Sequence, residues 1–305
     1  MMRILIVARR KNGHYAPFIT EQVEAIKKQG VECVYFGVDG KGIIGYLRQI
    51  PELRKAIRLS RPGVIHAHYG LCGLLANYQR QIPVVTTYHG SDINYPKALL
   101  LSEKCIRQSR FNIFVSQKNI DVAKPKDNYE LIPCGIDLDD YPLIEKKEAR
   151  MIMGLDPSRK YVLFAGSFDN PVKNAPLARE TMKRIPEATL LELKDYSRAQ
   201  VAALMQAVDA LLMTSLTEGS PQVIKEAMAC GCPLVSVDVG DVKERLEGIR
   251  GCYVVERNAE SIAGKLREAF DFEGRTEGRN AIISGGLSND DVARRIISIY
   301  KSLIS

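Results

Sequence analysis

Along this chain, short apolar runs of strand length alternate with segments of helical period, and the alternation starts twice. No other feature limits the fold as strongly. The first series reads as strands at 4–8, 32–37, 64–67, 84–87, 112–115 and 130–133, with helices at about 17–29, 46–59, 70–80 and 99–108 between them. A charged, weakly periodic stretch at 143–150 then reads as a linker or a short helix. The second series has strands at 161–165, 189–193, 210–214, 234–237 and 252–255, with helices at 175–183, 198–207, from Pro221, and at 259–270. Strands alternating with helices give parallel sheets covered on both faces. The expectation is an α/β chain of two Rossmann-like domains, 1–148 and 149–286, facing each other across a cleft. Ser288 and Asp291 form a capping-box pattern that opens a last amphipathic helix within 287–305, with Val292, Ile296, Ile299, Tyr300 and Leu303 on one face. That helix is expected to fold back toward the first domain. In open α/β sheets ligands bind beyond the carboxyl ends of the strands, so the loops after the strands are where chemistry is sought.

Composition narrows the classes. With 305 residues, 46% apolar and 26% charged, the chain has the make-up of a soluble globular protein. It has no apolar run of bilayer length and no signal-peptide pattern ahead of Arg9-Arg10-Lys11. Its seven cysteines are scattered, and the Cys230/Cys232 spacing fits no common zinc pattern. Reduced thiols and a cytoplasmic protein are expected, with a peripheral position at the inner membrane face as a further expectation. The net charge of +7 lies wholly in the first half: residues 1–148 hold 22 Lys+Arg against 15 Asp+Glu, and residues 149–305 hold 21 against 21. Such a half favours an anionic or membrane-bound partner; nucleic acid is not expected. The loop at 9–16 has a single glycine, Gly13, and no Gly-x-Gly-x-x-Gly, so a dinucleotide site is not expected. No Walker-type Gly-Lys-Ser/Thr is present either.

The segment from Thr217 to Pro233 is a loop that becomes a helix. Ser220 stands where an N-cap belongs, Pro221 at the first helical position, and Gly231 where a helix stops. On a helical wheel Val223, Ile224, Ala227, Met228 and Cys230 share a core face, while Gln222, Lys225, Glu226 and Ala229 share the outer one. Gln222 and Glu226 are neighbours at i and i+4. First-turn N–H groups suit a phosphate, and carboxylates accept hydrogen bonds from sugar hydroxyls. The segment is therefore suited to hold a diphosphate between two sugars, with a solvated polar face as the plainer alternative.

With its two glutamates eight residues apart, Glu218 and Glu226, the segment resembles the signature of the group 1 retaining glycosyltransferases of the GT-B fold, family GT4. Other segments resemble the family in order: Val64-Ile65-His66-Ala67-His68-Tyr69-Gly70, Val84-Val85-Thr86-Thr87-Tyr88-His89-Gly90-Ser91-Asp92, Leu131-Ile132-Pro133-Cys134-Gly135-Ile136-Asp137, and Leu163-Phe164-Ala165-Gly166-Ser167 on to Lys173-Asn174. The resemblance implies a metal-independent hexosyl- or other glycosyltransferase. It would move a sugar from a nucleoside diphosphate, with retention, to a glycan, lipid-linked or small-molecule acceptor. It also implies cell-envelope polysaccharide biosynthesis, with no cofactor and no metal. It gives Glu218, His89 and Lys173 catalytic roles, and it gives Gly13, Gly166, Ser167, Gly219, Ser220, Pro221, Gln222, Val223 and Glu226 donor-binding roles. Asp92 falls on the acceptor side.

The chain departs from that pattern in three places. Ser167 stands where the family carries an arginine beside the lysine, which removes one of two cations from the leaving group; Arg9 or Arg10 are the candidate substitutes. Cys134 replaces the usual asparagine. The second domain is shortened, since only residues 194–197 join the strand at 189–193 to the next helix. His66 and His68, on one strand, are expected on opposite faces. Asp137-Leu138-Asp139 reads as a solvated turn rather than a metal motif. The segment 46–59 reads as a core helix with a charged outer face, or else as a basic membrane-surface helix. A weakened nucleotide-sugar-binding protein and a GT-B epimerase remain as alternative readings.

Overall fold

The computed structural model describes residues 2–40 and 42–304. Among them, eleven strands form two wholly parallel sheets. The first contains β1 (Arg3–Arg9), β2 (Glu32–Val38), β3 (Val64–His68), β4 (Val84–Tyr88), β5 (Phe111–Phe114) and β6 (Tyr129–Leu131), in the order β2-β1-β3-β4-β5-β6. The second contains β7 (Lys160–Phe164), β8 (Ala188–Glu192), β9 (Ala210–Met213), β10 (Leu234–Val237) and β11 (Cys252–Val255), in the order β11-β10-β9-β7-β8. Every strand expected from the apolar runs is present. Ile4, Leu5, Ile6 and Val7 of β1 all have 0% exposure, so successive side chains on both faces are covered by helices. A strand buried on both faces reads as a continuous apolar run.

Each sheet reverses its winding once. β1 lies between β2 and β3, and β7 lies between β8 and β9. The pairing of Val162 with Ala210 and Phe164 with Leu212 therefore brings together loops that are about fifty residues apart in sequence. β8 is an edge strand and runs through residues 193–197 into the helix Arg198–Ala207.

The chain divides into two compact units, one holding the residues up to Gly135 and from Asn289 onward, the other Ile136–Ser288. The first division thus falls earlier than the expected 148/149. Residues 136–150 are not a linker, because they are built into the second unit. Ile136 and Tyr141 join its core. Ile144 donates its N–H to Gln206 Oε1 at 2.8 Å, and Lys146 pairs with Asp209 at 2.8 Å. Arg150 reaches Asp209 at 2.9 Å and also donates to the carbonyls of Ala207 and Pro157. The helix Asn289–Ile304 belongs to the first unit, where Val292, Ile296 and Tyr300 lie in the core beside the helix Pro17–Lys28. Counted by unit, the charge contrast is sharper than by halves: 23 Lys+Arg against 12 Asp+Glu in the first, 20 against 24 in the second.

Asp209 is 4% exposed and also accepts the Tyr161 N–H. Removing it leaves the buried Arg150 charge without its counter-ion. Asp209→Ala should lower the stability of the second unit by roughly 3–5 kcal/mol, read as a fall in the urea midpoint. A loss below about 1 kcal/mol, as for a surface pair, would contradict this.

The expected single helix at 46–59 is two helices, Gly42–Leu47 and Ile50–Ser60. Pro51 sits in the first turn of the second one. It has no N–H to continue the ladder from the preceding turn, so the axis breaks there. Tyr46 and Leu53 join the core of the first unit, and Ile50 and Ile57 pack against it, so the core reading holds for the segment except at Leu47, which is 51% exposed.

Candidate active site

In the second unit the loops after β7 and β9 converge. Lys173 donates to Glu218 Oε1 at 2.8 Å, with the two side chains 21% and 17% exposed. Gly166 adopts φ +148°, and a Cβ there would come within 2.9 Å of Lys173 Cγ. Glycine at 166 is what lets the lysine stem cross the strand end. Leu216 donates its N–H to the Val172 carbonyl at 2.8 Å, and Thr214 Oγ1 donates to the Lys173 carbonyl at 2.8 Å. The two loops are therefore fixed by backbone as well as by charge.

The signature helix spans Gln222–Ala229, with Pro221 rather than Ser220 as its cap residue. Ser220 is diverted: its hydroxyl donates to Asp241 Oδ2 at 2.8 Å. Asp241 is 3% exposed and also pairs with Arg245 at 3.2 Å. Burial raises its pKa, against the pull of Lys225, Ser220 and Arg245. Lys225, expected on the outer face, has 0% exposure and donates to Gln222 Oε1 at 2.6 Å. That face is covered by the loop after β10, and a Cβ on Gly240 there would lie 2.3 Å from the Gly219 carbonyl. Gln222, Val223 and Glu226 are half-buried along the exposed side of the helix start. First-turn amides, a lysine and a carboxylate thus stand at one sheet end. They are suited to an anion beside hydroxyl groups.

At position 167, where a cation was missed, the structure gathers carboxylates. The Ser167 hydroxyl lies against Asp169 and is 3.0 Å from Glu192 Oε1, which also accepts the Phe168 N–H at 2.6 Å. Lys194 pairs with Asp169 at 2.9 Å. In the first unit Arg10, a candidate substitute, is held by Asp39. Arg257, just after β11, donates to the carbonyls of Ser215 and Leu216. Glu192, Lys194, Asp241 and Arg257 were not expected at the site. Their one sequence signal is a place at or just beyond a strand's carboxyl end.

In the first unit His89 follows β4, and its ring lies among Phe18 at 4.8 Å, Tyr69 at 4.7 Å and His68 at 5.3 Å between centroids. His68 Nδ1 and His89 Nε2 are 3.0 Å apart and hydrogen-bonded. His66 and His68 are not on opposite faces. Side chains two apart on a strand point the same way, and these two rings stack at 4.6 Å. Both are fully buried. His66 bonds Tyr300 Oη at 2.5 Å and Thr87 Oγ1 at 2.8 Å. Burial holds its pKa well below the ordinary histidine value, and that of His68 falls to about 3.

Asp92 pins the two loops together. Its carboxylate accepts the N–H groups of Gly70 at 3.0 Å, His89 at 3.0 Å and Gly90 at 3.1 Å. Burial outweighs these donors and pushes its pKa up to about 6. Tyr69, next to Gly70, has φ +72°, a conformation that strains a bulky residue by roughly 1–3 kcal/mol. Asp92 helps to hold that strain beside His89. Gly13 lies in a tight Lys11–His14 turn whose central residues, Asn12 and Gly13, have φ of 52° and 81°. Such a turn needs left-handed residues at both central positions. Asp137 caps a 3₁₀ turn by accepting the Asp139 N–H at 3.1 Å, and Asp140 pairs with Arg198. Asp137 is therefore bound into the turn at the start of the second unit, while the Asp139 side chain is exposed.

All seven cysteines are free thiols. No helix among the described residues is long and apolar enough to cross a membrane.

Residues 6–140 match the family model described as Glycosyltransferase Family 4, and residues 191–271 match the one described as Glycosyl transferases group 1. TuaC of Bacillus subtilis, a glycosyltransferase named for teichuronic acid biosynthesis, is 25% identical over 232 residues, covering 66% of this chain and 60% of that protein. A D-inositol 3-phosphate glycosyltransferase of Mycobacterium marinum is 24% identical over 274 residues, covering 72% and 58%. The chain spans about three fifths of the length of these relatives. Among solved structures, sucrose-phosphate synthase of Thermosynechococcus elongatus aligns over 99% of both chains with a TM-score of 0.85 at 16% identity. HepE of Anabaena, solved in complex with UDP, aligns over 99% of this chain and 100% of its own with a TM-score of 0.76, also at 16% identity. These likenesses show the GT-B fold.

Proposed function

We propose that this chain, which belongs to the group 1 (GT4) glycosyltransferases, moves a sugar from a nucleoside diphosphate to an acceptor with retention at the anomeric carbon. The observation that carries the reading is the Lys173–Glu218 pair at the start of the signature helix. Donor diphosphate entering there would displace Glu218 from Lys173 and take the lysine and the first-turn amides as its counter-charge. Glu218 would then be released to accept sugar hydroxyls, and Glu226, one turn on, to accept the ribose. His89 and Asp92 belong on the acceptor side, His89 as the group nearest the transferred sugar. No metal is needed in this scheme, because a lysine and a helix dipole stabilise the leaving charge. A hexose donor and an anionic or lipid-linked envelope acceptor are part of the proposal. The basic first unit and the name of the Bacillus relative support the acceptor class.

The neighbour HepE, solved with UDP-glucose, makes UDP-sugars the first donors to try. A donor present at about 100 times its Kd should stabilise the protein by roughly 2.7 kcal/mol, seen as a raised Tm. Slow donor hydrolysis should follow, undiminished by EDTA, and the acceptor product should keep the donor's anomeric configuration by NMR. Binding of all candidate donors without turnover, with acceptors supplied, would overturn the transferase reading. An inverted product would overturn retention.

A further inference from the structure

In the histidine column of the first unit, every ring nitrogen but one has a partner. His66 is bonded at both nitrogens, to Tyr300 and to Thr87. His89 is also bonded at both, through Nε2 to His68 Nδ1 at 3.0 Å and through Nδ1 to Cys134 Sγ at 3.8 Å. His68 Nε2 is buried and has no hydrogen-bond partner among the described residues. The His68 ring itself is fully buried, stacked between His66 at 4.6 Å and His89 at 5.3 Å.

That one nitrogen decides where the protons of the column stand. His68 is neutral in the folded protein, since burial lowers its pKa to about 3, so it carries a single N–H. On Nε2 this N–H would be a buried donor without an acceptor, and orphaned buried N–H groups are rare. On Nδ1 it donates to His89 Nε2, and only a lone pair of His68 is left over. With Nε2 an acceptor, the proton of His89 stands on Nδ1, the nitrogen that faces Cys134.

We propose that His68 is a positioning residue for His89, holding its ring as the Nδ1–H tautomer, so that His89 meets an oxygen of the transferred sugar as a hydrogen-bond donor and not as a base. Cys134, one of the chain's departures from the family pattern, is a weak acceptor, which a sugar oxygen outcompetes for the Nδ1–H. His66 braces the arrangement, because its two bonds fix the ring on which His68 stacks. The substrate contact rests on the sugar-transfer reading; the tautomer does not.

Nitrogen-15 NMR of the full chain with labelled histidine, at neutral pH and without ligand, tests the tautomer directly. The chain has four histidines, and His89→Gln identifies the His89 signals by removing them. A pyrrole-type shift is expected at His89 Nδ1 and a pyridine-type shift at Nε2. His68→Leu keeps an apolar side chain in the column but has no N–H to give, so it should release His89 to a mixture of tautomers. Its kcat for sugar transfer should fall roughly tenfold, the worth of one neutral hydrogen bond, with KM for the donor nearly unchanged. His68→Asn, whose amide nitrogen falls near the place of Nδ1, should restore most of both. A proton on His89 Nε2 in the unsubstituted protein would overturn the proposal, and that result requires no His68 variant to fold. So would an unchanged His89 tautomer in folded His68→Leu, or a released tautomer with kcat unchanged. Failure of the sugar-transfer reading is a separate result, namely no turnover by the unsubstituted protein whatever the histidine spectrum shows.

Discussion

Replacing Lys173 by alanine should reduce sugar transfer by roughly 10²–10³-fold, the usual effect of removing one preorganised charge from a developing oxyanion. The effect should be at the upper end here, because the position after Gly166 is Ser167 and not a second cation. Nearby charge does not replace it: Lys194 is paired with Asp169, and Glu192 adds a further negative group. The loss should appear mainly in kcat with a natural donor, since the developing diphosphate charge is greatest in the transition state. Lys173→Arg should recover only part of it, because Gly166 leaves space for one slender stem and the guanidinium is a wider, planar group. A fall of less than about tenfold for Lys173→Ala would remove Lys173 from the catalytic set. Ser167→Arg is the complementary variant. Its new cation would meet Glu192 and Asp169 first, so donor affinity should rise by less than the charge alone suggests.

Acid should unfold the first unit, and its buried histidines should be the cause. His68 is neutral in the folded protein, with a pKa near 3, because burial penalises the charged ring. His66 is shifted in the same direction for the same reason. The unfolded chain protonates both near pH 6.5, so below that pH it binds protons that the native state does not. Stability is therefore present above the ordinary histidine pKa and is lost as pH falls. His68 alone should cost roughly 2 kcal/mol between pH 7 and pH 5, with His66 adding to it. Asp92 opposes them in part: its raised pKa, about 6, makes the native state the better proton binder between about pH 4 and 6. Comparing urea midpoints of the protein and of His68→Gln at pH 7 and pH 5 isolates the histidine contribution. The two proteins should converge at the lower pH; a constant gap would rule out His68 as the source.

The sequence showed the strands because parallel strands buried on both faces must be apolar along their length. The helices expected at 198–207 and 259–270 stand at those bounds, and the structure caps their starts. Ser197 forms a capping box with Gln200, and Asn258 accepts the Ser261 N–H. The sequence did not show the helices Gln117–Ala123, Val242–Leu246 and Gly278–Ser284, which are too short for a 3.6-residue period to emerge. The loop-to-helix form of the candidate site was legible where the motif is local, as in Glu218 to Glu226. It was misread where a residue's partner is distant. Ser220 has the form of an N-cap, but Asp241 lies 21 residues on and takes its hydroxyl. Lys225 falls on the polar side of the wheel, but the loop containing Gly240 covers it.

By itself the sequence determined two parallel α/β sheets and the resemblance to the group 1 glycosyltransferases that the two family models bear out. Those properties are written in short-range apolar periodicity and in one contiguous signature. Which loops meet was decided only by tertiary structure. The winding reversal between β7 and β9 brings Lys173 to Glu218 across 45 residues. Strand adjacency stacks His66, His68 and His89 into one column, buried at His66 and His68 and half-buried at His89. The unit boundary moves to residue 135 because Arg150 finds its counter-ion, Asp209, 59 positions later. Pair energies of this kind depend on distance in space, which local sequence patterns do not encode.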